Sequence, residues 1–283
     1  MSLFRILTYR SFVPTEISGL QVWLDMSNVS GAIGSTISTW TDQSGNAHDF
    51  IQPVASYQPS ITEIGTSGQK QVSFGGASVL YCPTGLDILK NTAGGTMYAV
   101  IRPSSGSICI VSDGLRSTRA RLQIGNTSTP NRYTASGKRV DADPNETVLN
   151  GVEEYVVPRT YNIQGVIANY NVSLFSYINS RLDDSNVTTS SSQNTSNTDS
   201  AAVMMGVDCE TPSASLYPNT GVYPSTATFA NFDIVELLIF NKALSALEKF
   251  NIERYLSIKH DITLSTLTPS TSLLPDTDLF IPW

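Results

Sequence analysis

The stretch Phe232-Asp-Ile-Val-Glu-Leu-Leu-Ile-Phe240 is the most apolar run of this 283-residue chain, and a helical pattern follows it closely. A run dominated by branched and aromatic side chains is typical of a strand buried on both faces. Ser245-Ala-Leu-Glu248 is a capping box, in which a hydroxyl and a carboxylate satisfy backbone N–H groups at a helix start. These signals predict a buried strand followed by a helix over residues 245–259.

The predicted helix carries one apolar stripe. Its members recur at helical spacing and are Leu247, Phe250, Tyr255 and Ile258. The charged residues Lys249, Glu253 and Lys259 lie elsewhere on the helix. We therefore expect the apolar stripe to pack against the rest of the domain.

Short β-branched or aromatic runs, broken by Gly, Pro and Asn, fill most of the remaining chain. The predicted strands cover residues 20–24, 36–40, 71–74, 96–102, 107–112, 121–125, 154–157, 162–170, 172–179 and 203–207. Many short strands without a regular repeat indicate an all-β sandwich or barrel. Residues 125–153 and 180–200 have no core pattern, and we expect a charged, turn-rich insertion and a polar loop there.

Both ends of the chain look like extended arms outside the folded domain. Residues 1–16 have scattered apolar residues without a period, and residues 263–283 carry three prolines and no Lys or Arg. Each arm either packs back onto its own sandwich or docks onto a neighbouring subunit. The predicted subunit contacts are Phe4, Tyr9, Phe12, Leu279, Phe280 and Trp283. The folded domain is expected to span residues 17–262.

Three segments resemble a known family. They are Ile17-Ser-Gly-Leu-Gln-Val-Trp-Leu-Asp25, then Ile37-Ser-Thr-Trp-Thr-Asp-Gln-Ser-Gly-Asn-Ala-His48, and the closing strand and helix over residues 235–262. The chain resembles the concanavalin A-like lectin/glucanase superfamily, in its laminin-G or pentraxin-like branch. The resemblance implies an antiparallel two-sheet jelly roll with the C-terminal helix packed against it. Gly75 stands where that family has an aspartate, so a role of that aspartate does not carry over.

Composition excludes several classes of function. A net charge of −7 and a pI of about 4.8 argue against non-specific nucleic-acid binding. No run approaches the roughly 18 apolar residues of a membrane span, and the N-terminus does not resemble a secretion signal. The three cysteines, Cys82, Cys109 and Cys209, are expected to be buried thiols. We expect a protein made and assembled in a cytoplasm.

Catalysis is not expected. Glucanases of the superfamily use an E-x-D-x-x-E pattern, because retaining hydrolysis needs two carboxyl groups about 5 Å apart. The corresponding run here is Asn231-Phe-Asp-Ile-Val-Glu236, with an amide where the nucleophile should stand. No catalytic residue is predicted, and the chain is not expected to be an enzyme.

A cofactor is not required by any motif, although calcium remains an open interpretation. Hard oxygen ligands are plentiful, and relatives in the pentraxin-like branch bind this ion. The candidate ligands are Asp25, Asp42 and Asn46. The alternative is that the turn over residues 42–46 uses these side chains to cap its own backbone. Trp23 and Trp40 are expected in the core.

Two hypotheses of function remain. The first is a non-enzymatic phage virion protein, a head-decoration (cement) or tail component that contacts other virion proteins and copies of itself. It would be assembled in the host cytoplasm, with the arms clamping neighbouring subunits. The alternative is a glycan-binding adhesin for cell-surface carbohydrate, with a sugar site in loops 125–153 and 180–218. Its candidate residues are Arg132, Tyr217 and Tyr223.

Charge is unevenly distributed along the chain. Residues 102–139 contain seven bases against one acid, and residues 141–154 contain five acids and no base. One interpretation is a basic face for an acidic partner. The other, which we favour, is that these neighbouring segments pair with each other or lie solvated.

Overall fold

The computed structural model describes residues 12–83, 88–105, 111–114, 121–126, 132–139, 147–154, 160–186, 195, 203–208 and 228–265. Five of the six predicted arm contacts lie outside these ranges, and only Phe12 is within them. Tyr217 and Tyr223 of the predicted sugar site also lie outside, as do Cys109 and Cys209.

The described elements are almost all strands. In chain order they are β1 Leu20–Asp25, β2 Thr39–Trp40, β3 Phe50–Ile51, β4 Ser60–Glu63, β5 Lys70–Phe74, β6 Leu80–Cys82, β7 Gly94–Ser105, β8 Val111–Gly114, β9 Arg121–Asn126, β10 Arg132–Lys138, β11 Thr147–Glu154, β12 Asn162–Asn169, β13 Ser173–Ile178, β14 Arg181–Asn186, β15 Val203–Met205, β16 Val207–Asp208, β17 Thr228–Phe229 and β18 Asn231–Phe240. The helix α1 covers Ala246–His260, and single 3₁₀ turns cover Pro14–Glu16, Met26–Asn28 and Ala55–Tyr57.

The strands form two eight-stranded sheets and one short pair. The first sheet has the order β14-β13-β12-β7-β18-β5-β4, with β1 also paired to β18. The second has the order β11-β10-β9-β8-β15-β6-β3-β2, and β16 pairs with β17. Every described pairing is antiparallel. The predicted jelly-roll sandwich with a packed C-terminal helix is therefore confirmed.

One continuous hydrophobic core lies between the two large sheets. Leu24 and Leu237 from the first sheet and Trp40, Phe50 and Ile124 from the second are fully buried. Burial of each such side chain contributes about 1.5–3 kcal/mol relative to exposure. The core position predicted for Trp40 is confirmed.

Strand β18 organises the first sheet, as its apolar run predicts. It pairs along one edge with β7, and along the other edge first with β5 and then with β1. A register irregularity between Ile234 and Glu236 in the β7 pairing separates the two halves. Nine of its ten residues are buried, which is the burial expected of a strand covered on both faces.

Two segments predicted to lack a core pattern contain strands. The turn-rich insertion at 125–153 includes β10 and most of β11, where Tyr133, Ala135 and Leu149 are buried. The polar loop at 180–200 begins with β14, an edge strand that pairs with β13. The predictions were wrong for these strands because a strand rich in polar residues takes its order from ladder hydrogen bonds with its neighbours, and composition does not reveal those bonds.

The helix starts where the sequence predicts but packs on a different face. Ser245 caps it in the predicted capping box. Ile252 and Leu256 are buried, whereas Leu247 and Ile258 are 69 % and 71 % exposed. The prediction that the apolar stripe packs inward was therefore wrong for Leu247, Phe250 and Ile258, whereas its fourth member, Tyr255, packs against the core.

Glu253 explains the orientation of the helix. Its carboxylate is fully buried and accepts hydrogen bonds from Tyr98 Oη at 3.0 Å and Ser180 Oγ at 2.8 Å. Lys249 Nζ, one helical turn away, lies 2.6 Å from it. A buried carboxylate costs several kcal/mol unless it is paired and hydrogen-bonded, so these partners fix which face of α1 meets the sheet.

Candidate functional site

A closed group of polar residues, the Glu236 cluster, joins β1, β18 and α1. Its members are Trp23, Asp25, Glu236, Tyr255, Lys259 and His260. The Glu236 carboxylate is fully buried and receives Trp23 Nε1 and Tyr255 Oη at 2.8 Å each. Lys259 Nζ and His260 Nε2 lie 2.8 and 2.6 Å from it. With its oxygens surrounded in this way, Glu236 anchors the helix to the sheet.

Asp25 completes this cluster from the end of β1. Its Oδ2 lies 2.7 Å from Lys259 Nζ, and its Oδ1 accepts the Ser27 N–H at 2.9 Å. Burial works against ionisation of Asp25, but the Lys259 ammonium and the Ser27 N–H outweigh it and lower the pKa of this carboxyl below its ordinary value. Asp25 is therefore a structural carboxylate that links strand and helix.

The turn that follows β2 uses Asp42 to hold itself together. Asp42 Oδ1 accepts the backbone N–H groups of Trp23 and Ser44, and Oδ2 accepts Ser44 Oγ and the His48 N–H. Asn46 Nδ2 donates to Leu20 O at 2.9 Å. The predicted turn capping is thus present.

The calcium interpretation stays a prediction. The candidate oxygens of Asp25 and Asp42 already accept N–H or O–H groups or pair with an ammonium. Among the residues that the structure describes, no group of three or more His, Cys, Asp or Glu is arranged to hold a metal ion.

The three polar residues of the glucanase-like run, Asn231, Asp233 and Glu236, each make contacts in a different place. Asn231 Oδ1 accepts the Gly76 N–H, Asp233 pairs with Arg102, and Glu236 belongs to the closed cluster. A glycosidase needs one carboxyl group as nucleophile and another as acid, both open to the sugar. This run offers neither arrangement, because Asn231 is an amide and Glu236 is fully buried.

A second polar group in the described part of the chain is partly exposed to solvent, and we name it the Arg102 cluster. Its members are Thr62, Gln71, Arg102, Tyr161 and Asp233. Arg102 and Asp233 are register partners on β7 and β18, and Thr62 and Gln71 are partners on β4 and β5. Tyr161 precedes Asn162, which pairs with Ile101 of β7. Five separate segments therefore bring these side chains together.

The Arg102 cluster shares a sheet face with α1. Glu236, which contacts the helix, pairs with Val100, and Arg102 lies two residues further along β7. Alternate residues of a strand point to the same face. The helix covers the part of this face near Tyr98 and Glu236, and the Arg102 cluster lies beyond it.

A connected set of hydrogen bonds holds the cluster. Arg102 Nε and Nη2 donate to Asp233 Oδ2 at 3.0 and 2.8 Å, and the guanidinium lies 5.5 Å from the centre of the Tyr161 ring. Gln71 Oε1 accepts from Tyr161 Oη, and Gln71 Nε2 donates to Thr62 Oγ1 at 2.8 Å. The Arg102 side chain keeps 31 % of its surface exposed.

Electrostatics keep the Tyr161 hydroxyl protonated. Burial, with the Asp233 carboxylate nearby, raises the pKa of Tyr161 well above its ordinary range, although Arg102 works in the opposite direction. The hydroxyl is therefore a permanent donor to Gln71. The cluster holds the Asp233 carboxylate and the Arg102 guanidinium in fixed positions beside a half-buried aromatic ring, and the buried Gln71 amide supports them from within.

The sequence did not single out most of this cluster. Arg102 appeared only as one of a run of bases, and Asp233 only as part of the glucanase-like run. Gln71 and Tyr161 gave no signal, since a single polar residue on a strand is common. Of the predicted sugar-site residues, Arg132 is described and begins β10 in the second sheet, whereas the Arg102 cluster belongs to the first.

Phe12 is the one predicted arm contact that the structure describes. Its ring lies edge-on to Tyr255 of α1, with ring centres 6.1 Å apart. Pro14, also within the predicted arm, is buried. Residues 12–16 thus contact the sandwich, and the predicted boundary of the domain at residue 17 stays a prediction.

Comparisons with known proteins find a match at the level of structure. No protein-family model and no curated protein matches the sequence. The binding domain of Paraclostridial Mosquitocidal Protein 1 is similar, with a TM-score of 0.56 and 12 % identity over 87 % of this chain and 53 % of that one. The binding domain of botulinum neurotoxin serotype D/C is similar at a TM-score of 0.50 and 14 % identity, over 86 % and 53 % of the two chains. The CBM40 module of a Ruminococcus gnavus IT-sialidase matches at a TM-score of 0.47 and 14 % identity, over 66 % and 97 %.

The chain spans about half the length of the two toxin domains that it matches. At these identities the likeness shows the fold, a β-sandwich that occurs in binding domains. The resemblance to the concanavalin A-like superfamily is supported to that extent, and membership of the superfamily stays a prediction. Within the described residues, no helix has the length and apolar character needed to cross a membrane.

Proposed function

We propose that this protein is a non-catalytic binding module that recognises carbohydrate through the Arg102 cluster. The observation that carries the proposal is the chemistry of the cluster on the sheet face beside α1, where Thr62, Arg102 and Tyr161 are partly exposed. A sugar presents several hydroxyl groups, each a donor and an acceptor, beside apolar C–H faces. Fixed carboxylate and guanidinium groups beside an aromatic ring suit such a ligand.

The fold supports this proposal in a general way. Its sandwich is shared with binding domains of two toxins. The buried carboxylates Glu236 and Glu253 have structural partners within the fold, which favours binding over catalysis. The glycan-binding hypothesis from the sequence is therefore retained, with a different site.

An array of immobilised glycans, followed by calorimetry with a binding glycan, tests the proposal. We expect the wild-type protein to bind, and Arg102→Ala to weaken binding by about ten-fold or more, the effect of losing a charge-assisted hydrogen bond. Arg254→Ala removes the same side chain from an exposed position on α1 and should bind as the wild type does. A folded wild-type protein that binds no glycan would overturn the proposal.

The same array tests the calcium prediction. We expect equal binding in calcium and in a chelator, because the described carboxylate oxygens of Asp25 and Asp42 already have hydrogen-bond donors. Binding that disappears in the chelator would show that a cation is required after all.

A virion structural role is the second candidate function. The observation that favours it is the exposure of Leu247 and Ile258 on α1, apolar residues that a neighbouring subunit could cover. In this role the arms would contact other virion proteins, with assembly in a host cytoplasm. Sedimentation of the full chain tests it: we expect oligomers that Leu247→Glu dissociates. A monomer at every concentration would contradict self-association.

A further inference from the structure

The ion pair within the Arg102 cluster leaves two polar groups available. Both described contacts of the Asp233 carboxylate use Oδ2, so Oδ1 has no hydrogen-bond partner among the described residues. Arg102 uses Nε and Nη2, and Nη1 likewise has no partner in the described part of the chain. The Arg102–Asp233 ion pair, which has no net charge, therefore keeps one available acceptor, Asp233 Oδ1, and one available donor, Arg102 Nη1.

Hydroxyl groups match these two positions separately. One hydroxyl can donate its proton to Asp233 Oδ1, and a second can accept a hydrogen bond from Arg102 Nη1, which lies on the opposite side of the guanidinium from the edge that faces Asp233. The Arg102 guanidinium is fixed in position by its ion pair with Asp233 and by its contact with the Tyr161 ring. A preorganised pair loses little freedom when the ligand binds.

A carboxylate does not match them. The cluster holds one cation and one anion, and the guanidinium donates two hydrogen bonds to Asp233. An acidic ligand would meet Asp233 Oδ1 as a like charge and would have to share Arg102 with it. The net charge of −7 on the chain adds to this repulsion.

We infer that the Arg102–Asp233 pair makes the site select neutral, hydroxyl-rich sugars over acidic sugars. Asp233 is then a specificity-determining residue, which lowers affinity for a carboxylated sugar by neutralising Arg102. This inference rests on the proposed carbohydrate-binding function.

Sugar pairs that differ only at C6 test the inference. Binding is measured for glycosides of glucose against glucuronate, and of galactose against galacturonate. We expect the wild-type protein to prefer the neutral member by about ten-fold, the difference made by one charge-assisted hydrogen bond. Asp233→Asn leaves Arg102 as an unpaired cation, and the preference should shift by about ten-fold or more towards the uronate.

Two variants serve as controls. Asp261→Asn changes the net charge equally at the exposed end of α1 and should keep the wild-type preference. Asp233→Glu keeps the charge and should keep the neutral preference, provided that circular dichroism shows a folded protein.

The outcomes separate the inference from the function on which it rests. A wild-type protein that binds neither member of any pair contradicts the carbohydrate-binding proposal itself. A protein that binds sugars but prefers the uronate overturns only the inference. So does a folded Asp233→Asn variant whose preference is unchanged.

Discussion

Replacing Glu236 by glutamine tests the reasoning about the closed cluster most directly. The substitution keeps size and shape but removes the charge that four donors surround. Trp23 Nε1, Tyr255 Oη, Lys259 Nζ and His260 Nε2 all lie within 2.8 Å of the carboxylate. A glutamine offers one acceptor oxygen, and its NH₂ group would face a donor.

The expected cost follows from the burial of the cluster. Removing one partner of a buried ion pair costs about 3–5 kcal/mol, mostly because the remaining charge is left uncompensated. Lys259 Nζ keeps Asp25 at 2.7 Å, so compensation is partial. We therefore expect the free energy of unfolding to fall by about 3 kcal/mol, at the low end of that range. For a domain of this size, that corresponds to a Tm lower by about 6 °C.

Urea unfolding at neutral pH, followed by circular dichroism, measures this change. Glu63→Gln is the matched control, since Glu63 Oε1 accepts a hydrogen bond from the Gly68 N–H at an exposed turn. That variant should lose less than about 1 kcal/mol. If Glu236→Gln unfolds at the same urea concentration as the wild type, then Glu236 does not anchor the helix.

Three further predictions concern the fold. Gly165→Ala should cost about 1–3 kcal/mol in urea unfolding, because a Cβ there would lie 2.3 Å from the buried Tyr98 ring, whereas Gly75→Ala has open space and should be neutral. The lowered pKa of Asp25 contributes stability that is present above its ordinary value of 3.8 and is lost as pH falls through the folded pKa. Ordinary carboxyl groups titrate at about pH 3–6, so the urea midpoint is measured across that range. As the pH falls, the midpoint should decrease less steeply for Asp25→Asn than for the wild type. Ile252→Ala should lower the free energy of unfolding by about 2–5 kcal/mol. Leu247→Ser on the exposed side should change it by less than about 0.5 kcal/mol, and equal effects of these two variants would show that α1 packs on its other face.

Local signals in the sequence were sufficient for β18 and for the start of the helix, but not for every core strand, since β6 and β10 were missed. The apolar run of β18 and the capping box at Ser245 each depend on residues close together in the chain. Hydrophobic periodicity and backbone capping depend on residues a few positions apart, so both can be recognised from the sequence before the fold is known. The same holds for the Asp42 turn, where Gly45 takes a φ of +92°.

Tertiary structure alone decided which residues meet. The helix turned Ile252 inward and Leu247 outward because Glu253 found partners in Tyr98 of β7 and in Ser180 of the turn between β13 and β14. Arg102 and Asp233 are 131 positions apart in sequence and become neighbours only when β7 pairs with β18. Sequence by itself determined an all-β sandwich closed by a helix, because burial patterns are local. The site was settled by strand pairing over long separations, which no local pattern encodes.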